Sequence, residues 1–333
     1  MTTIKDIAKE VNLSIATVSR VLNYDDRLQV SDETRFKIIE AARNLGYVKR
    51  DRKNSKKITK VAVIQWYSSD SEMQDPFYLG IRIKVEEVLI NHGIEVVRIF
   101  YQEDSLRRKL KGVAGIICIG KFSEKEIGDF RKLHRNLIFI DMFLTKTFVT
   151  NIVLDQKNAT KDAIEYLMKF NHKKIGFIGG QEKLHDGSNY FERRNYFFKY
   201  YCSKYKIDYE KYYYVKDFTI DSGYEMAKKM IASKKMPTAI FCSSDQIAIG
   251  AMSALNEAGY KIPEDISIIS FNNDNNSKFT NPPLTTFNAP NELMGYYAAT
   301  QMITAIKNKE YYPISINIPC ELIIRSSVCK AKN

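Results

Sequence analysis

From Lys60 onward the chain is a succession of short, strongly apolar runs separated by stretches with helical spacing, and this alternation restricts the fold more than any other feature. The runs read "KVAVIQWY", "IEVVRIFY", "AGIICIG", "NLIFID", "KIGFIGG", "TAIFCSS" and "ISIISF". Helical patterns lie between them, among them Phe77 to His92, Asn158 to Phe170 and Gln246 to Ala258. A strand with one wet face alternates apolar and polar residues, whereas a strand that is apolar throughout is buried on both faces. The intervening helices supply the covering layers, so parallel sheets are expected. More than ten strand-like runs in roughly 270 residues exceed what one doubly wound sheet usually carries, which predicts two α/β lobes. Ligands in such sheets sit beyond the carboxyl ends of the strands, so the residues just after each run are the place to look for a site.

The first 46 residues keep a different rhythm. Ile4, Ile7, Ala8 and Val11 follow i, i+3, i+4, i+7 spacing, with Thr3 as N-cap and Asp6 three residues on. Asn12 and Leu13 predict a turn. Ser14 caps a second helix whose Val18, Val21 and Leu22 point inward. Ser31 caps a third, in which Ile38, Ala41, Ala42 and Leu45 repeat the spacing until Gly46 stops it. Three short helices with a tight turn between the first two make a helix-turn-helix pattern.

The second helix of such a module enters the DNA major groove by its N-terminus. With Val18, Val21 and Leu22 on the core side, Ile15, Ala16, Ser19 and Arg20 fall largely on other faces. Ile15 and Ala16 suit thymine methyls, and Arg20 reaches guanine or phosphate. Ser14, Thr17, Asn23, Ser31 and Thr34 are then phosphate-positioning donors. The pattern equally allows Ile15 to act as a hydrophobic staple on the domain's own core, and by itself leaves the two readings open.

Charge adds to this. The chain carries a net +12, yet Met1 to Gly46 balances seven Lys/Arg against seven Asp/Glu. The segment "KRDRKNSKKITK", Lys49 to Lys60, has seven basic residues and one Asp, half of the whole excess. Alone it reads as a solvated linker. Beside a small helical module it predicts phosphate contact, with Lys53 and Lys56 among the donors. The expected organisation is a DNA-binding domain over 1–48, a basic linker over 49–60 and a two-lobed domain over 61–333.

Signatures of enzymes are missing. "GFIGG" lacks GxGxxG spacing, and no GxxxxGK[ST], GxSxG or HExxH occurs. Four isolated histidines, His92, His134, His172 and His185, read as surface or loop residues, and no nucleophile–base constellation stands out. Five cysteines without CxxC spacing argue for reduced thiols and against zinc. No cofactor or metal is expected. The longest apolar runs are far too short to span a bilayer and the N-terminus is polar, so a cytoplasmic protein with no membrane partner is expected.

The stretches "TIKDIAKEVNLSIATVSRVLN" and "VSDETRFKIIEAARNLGY" resemble the DNA-binding domain of the lactose/galactose repressor family of bacterial transcription regulators. The resemblance runs through "DPFYLGI", "KIGFIGG", "FCSSDQIAIGAMSALNEAGYKIPEDISIISFNND", "PPLTTF" and "LIIRSS", and is strongest toward the branch governing galactose or β-galactoside use. It implies an α/β fold with a helix-turn-helix head and a periplasmic-binding-protein-like core of two doubly wound lobes. It also implies a homodimer, a pseudo-palindromic double-stranded DNA operator and a small sugar effector, with a non-sugar effector or a partner protein as the alternative. Ile15, Ala16 and Arg20 match base-reading positions. Ile4, Lys5, Ser14, Thr17, Ser19, Asn23, Ser31, Thr34 and Tyr47 match backbone or groove contacts. In the core, Arg193 matches the arginine that grips sugar hydroxyls, and Asp75, Asp141 and Asn272 match further ligand positions. Ser244 and Asp245 stand where the family places an Asn-Asp pair, and Phe77 and Trp66 are candidates for stacking on a pyranose. The linker departs from the family: it has neither the proline nor the leucine of a hinge helix that wedges into the minor groove. The chain also ends without a leucine-heptad tail, so a tetramer held by such a tail is not expected.

Overall fold

The computed structural model describes residues 2–23, 25, 28–47, 59–69, 72, 76–100, 106–144, 148–308 and 311–332. Asp75, Lys53, Lys56 and the linker up to residue 58 lie outside the described residues. The chain divides into two compact units, Met1–Lys57 and Ile58–Asn333.

The first unit holds three helices, α1 (Ile4–Glu10), α2 (Ile15–Leu22) and α3 (Asp32–Asn44). The three expected caps are in place. Thr3 and Asp6 form a reciprocal capping box, Ser14 accepts from Thr17 N, and Ser31 accepts from Thr34 N. Asn12 takes the left-handed φ of 51° that the tight turn needs, and Gly46 (φ 62°) follows α3. Ile7, Ala8, Val18, Val21, Ile38 and Ala42 form the core, with Leu13 and Leu22 packed on it.

The second unit has two six-stranded sheets. One runs β11-β5-β4-β3-β1-β2, from Ser315–Ile318 (β11), Thr150–Leu154 (β5), Leu137–Ile140 (β4), Gly115–Ile119 (β3), Lys60–Gln65 (β1) and Glu95–Phe100 (β2). The other runs β12-β10-β9-β8-β6-β7, from Glu321–Ile323 (β12), Thr285–Asn288 (β10), Ser267–Asn272 (β9), Ala239–Cys242 (β8), Ile175–Gly180 (β6) and Tyr213–Lys216 (β7). Every pairing is parallel except β10 with β12. The apolar runs are the inner strands: β3, β4, β6 and β8 are buried at every residue, while the edge strand β2 is largely open. Lys60, counted above with the linker, instead opens β1, and its Nζ lies 2.6 Å from Glu95.

The chain passes between the lobes after β5, after β10 and between β11 and β12. Two of these crossings are tied together where Asp155 N donates to Ile318 O at 2.8 Å. The lobes therefore share a jointed edge, and the strand ends of both face one cleft.

Candidate functional site

In the helix-turn-helix unit the outer stripe of α2 is formed by Ile15, Ala16, Arg20 and Asn23, all exposed, with Ser19 half-buried. Ile15 is 51% exposed and outside the core. It is therefore not the staple: Leu13, just before the Ser14 cap, packs on the cluster that contains Val18. Arg20 Nε donates to Asp25 Oδ2 at 2.8 Å, an exposed pair of little energetic weight that holds the guanidinium at the surface. Ser14 and Thr17 share a hydroxyl hydrogen bond of 2.8 Å, and Ser31 and Thr34 form the same pair. Each cap thus places hydroxyls beside a helix N-terminus, where backbone N–H groups attract phosphate. Lys5 is exposed, while Ile4 and Tyr47 are half-buried against their own core.

In the two-lobed unit the inter-lobe cleft brings together Phe77, Asp141, Ser244 and Asn272 of the sequence-predicted residues. Asp141 follows β4 with a left-handed φ of 59° and is 8% exposed. Tyr78 Oη and Lys121 Nζ donate to its Oδ2 at 2.7 and 2.5 Å, and Lys121 also reaches its carbonyl. Burial works to lower the Lys121 pKa, but Asp141, Tyr190 and Glu192 around it together outweigh burial and the net shift is upward, which keeps the buried ammonium charged. Asn272 ends β9 with φ 115°.

Three expectations are corrected. Arg193 does not line the cleft; its guanidinium lies 3.9 Å from the Phe143 ring centre. The neighbouring Arg194 lines it instead, donating from Nη1 to Ser243 O at 2.7 Å, while its buried Nε has no partner among the described residues. Glu192, 3.5 Å from Arg194, is also buried with one carboxylate oxygen unpartnered among the described residues, and burial pushes its carboxyl pKa up.

Asp245 does not line the cleft. Ser244 is the N-cap of the helix Asp245–Glu257. The Asp245 side chain, fully buried, accepts from Ser270, from Thr286 Oγ1 at 2.7 Å and from Asp274 N at 2.6 Å. Burial raises its carboxyl to about 6. It braces β9 and β10 from behind the wall.

Trp66 lines a neighbouring recess rather than this pocket, stacked on Tyr67 and seated over Gly120, where a Cβ would come within 1.8 Å of the indole.

The cleft also contains residues that sequence reasoning missed: Tyr78, Leu154, Gln156, Glu182, Phe218 and Gln246. Gln156 follows the unrecognised strand β5, and Phe218 follows the equally unrecognised β7. The rule of looking just beyond strand ends finds both once those strands are seen.

The histidines are less bland than their sequence suggested. His172 is buried between Thr238 and Cys329. His185 places Nδ1 3.0 Å from Glu126 Oε1 and Nε2 3.1 Å from Trp66 O, joining one lobe to the other.

Among the described residues no group of His, Cys, Asp and Glu is placed to hold a metal. No described helix is long and apolar enough to cross a membrane.

Comparison with known proteins bears on both units. Residues 3–49 match the model described as "Bacterial regulatory proteins, lacI family", and residues 164–328 match "Periplasmic binding protein-like domain". The HTH-type transcriptional regulator GalR of Streptococcus thermophilus is 35% identical, covering 98% of this chain and 99% of the relative. GalR of Lacticaseibacillus casei is 34% identical at 98% and 99% coverage. GanR of Bacillus subtilis is 33% identical at 98% and 100%. Among solved structures, the transcriptional regulator CelR–cellobiose complex superposes with a TM-score of 0.70 at 22% identity, covering 98% of this chain and all of that one. The lac repressor dimer bound to operator and the anti-inducer ONPF gives 0.71 at 21% identity, covering 98% and 99%.

Proposed function

The chain belongs to the LacI family of bacterial regulatory proteins and is a transcriptional regulator rather than an enzyme, and on that premise we propose that it is a homodimeric repressor of sugar-catabolism genes released or engaged by a neutral sugar. The observation that carries the effector reading is the cleft. Asp141 from one lobe and Arg194, Ser244 and Asn272 from the other converge on it, all set at strand ends or helix starts. Such a set of fixed donors and acceptors recognises hydroxyls from two sides.

Two helix-turn-helix heads read a pseudo-palindromic operator in the cytoplasm, with Ile15, Ala16 and Arg20 at base edges and the Ser14 and Ser31 caps on phosphates. A sugar that binds one lobe arrangement better than the other shifts the population of lobes and changes operator affinity by that difference. The usual scale of such coupling is about 1–3 kcal/mol.

Operator affinity of the purified full-length protein, titrated with galactose, glucose, lactose, melibiose, cellobiose and a set of nucleobases, tests the reading. A change with a sugar supports it. A change with a nucleobase alone, or with nothing in the set, sinks it.

A further inference from the structure

The cleft does not end at Phe218. Glu182, Phe218 and Gln246 line the inner pocket and also a second hollow of about 690 Å³ that continues from it. A third recess shares Tyr67, Glu182, Asp217 and Phe218 and adds Trp66. The inner pocket is narrow, about 50 Å³ of free volume, so a ring enters it only as the lobes part; the outer hollow is already of ligand size.

The outer walls have a definite chemistry. Phe218 packs against Gly180, where a Cβ would come within 2.2 Å of its ring, and the Arg194 guanidinium lies 4.9 Å from its centre. Tyr67 is stacked on Trp66 at 4.5 Å, and its Oη donates to Glu182 Oε1 at 3.1 Å. Both rings are set in place before any ligand arrives. Trp66, 4% exposed, keeps an indole N–H with no acceptor among the described residues. The 690 Å³ hollow is lined by the carboxylates of Glu182, Asp217, Asp221 and Asp274 with no lysine or arginine among its described residues, while Lys183 and His185 line the recess on the Trp66 side.

Carboxylates accept charge-assisted hydrogen bonds from hydroxyls, and aromatic faces take the C–H side of a sugar ring. The same carboxylates repel a phosphate.

Resting on the sugar-effector reading above, we propose that the effector is an uncharged saccharide of at least two rings. The inner ring is held at Asp141, Arg194 and Asn272, and the outer ring lies on Phe218 and Tyr67 against Glu182 and Asp217. Sugar phosphates are rejected at the outer wall.

Calorimetry on the full-length protein with galactose, glucose, lactose, melibiose, cellobiose and galactose 6-phosphate provides the test. The lone tryptophan, Trp66, supplies a second readout through its emission. One disaccharide is expected to bind about tenfold or more tightly than either monosaccharide, the scale of one added stacked ring with its hydrogen bonds. It is also expected to change the Trp66 emission, and galactose 6-phosphate to bind no better than galactose. Asp217→Ala, at an exposed position, is expected to weaken the disaccharide about tenfold while leaving the monosaccharide within about twofold. A monosaccharide that binds as tightly as every disaccharide, or a sugar phosphate that binds more tightly, overturns the two-ring proposal and leaves the sugar-regulator reading standing. If no saccharide of either length binds, both fall.

Discussion

Asp141 and Asn272 stand at the end of the same strand in the two lobes. β4 and β9 are each third from the matching edge of sheets with corresponding strand order, and each ends at the cleft in a left-handed residue (φ 59° and 115°). A non-glycine residue there costs of order 1–3 kcal/mol and persists only where surroundings over-determine it. Lys121 and Tyr78 fix Asp141. Behind Asn272, Asp245 fixes the neighbouring β9 and β10. The two lobes thus present a polar side chain to the cleft from equivalent, braced points.

The first prediction separates the adjacent arginines. Arg194 lines the cleft and Arg193 lies on Phe143. Arg194→Ala is expected to lower effector affinity by about 1.5–3 kcal/mol, roughly tenfold to a hundredfold, while Arg193→Ala changes it by less than about threefold. Calorimetry on both variants decides it, and equal losses would return the sugar-gripping role to Arg193.

This pair also shows what was legible in the sequence. The buried face of the helix Arg193–Tyr205 carries Phe198, Tyr201 and Cys202, and stepping back four residues from Phe198 lands on Arg194, whereas Tyr196 and Tyr200 are exposed. Helical periodicity therefore contained the answer, and motif matching in a run of two arginines did not. The inner strands were legible because burial on both faces leaves an unbroken apolar run. The strands β5, β7, β10, β11 and β12 were not. β7 and the edge strands β11 and β12 face solvent in part, and β5 and β10 include Thr and Asn. Lys121, Asp245 and the His185 bridge were invisible for a different reason: their partners are twenty or more residues away and meet only in the fold.

Lys121→Met should be costly although Lys121 does not line the inner pocket. It leaves Asp141 buried with Tyr78 as its one side-chain donor among the described residues. Removing one partner of a buried pair typically costs about 3–5 kcal/mol. The expected result is a lower denaturant midpoint, with Lys121→Met/Asp141→Asn recovering part of the loss. A midpoint for Lys121→Met equal to wild type would show that the pair carries no stability.

His185 supplies a pH dependence whose sign follows from its surroundings. Both ring nitrogens face acceptors, Glu126 Oε1 and the Trp66 carbonyl, so the doubly protonated ring satisfies both. The hydrogen bond to Glu126 raises its pKa first; burial opposes, and Glu126, the Trp66 carbonyl and Asp186 add to the rise. A raised folded value means the stabilisation is complete below the ordinary histidine value of about 6.5 and is lost as pH climbs through the folded one. The thermal midpoint of wild type is therefore expected to fall relative to His185→Gln as pH rises above about 6.5. Parallel curves for the two proteins would remove His185 from the account.

The last prediction concerns DNA. Ile15 and Ala16 are exposed at the start of α2, and Arg20 is held outward by Asp25. Arg20→Ala is expected to cost about 1–3 kcal/mol at one operator position and to relax discrimination there, leaving effector affinity unchanged. Replacing Lys53 and Lys56 of the basic linker acts differently, because a phosphate contact carries no base information. Operator and random DNA should weaken together, and the slope of log affinity against log salt should flatten by roughly one per lost contact. Footprinting of the Arg20 variant and a salt titration of the lysine variant read the two effects separately. An unchanged footprint would remove α2 from base reading, and an unchanged salt slope would leave the linker as a spacer.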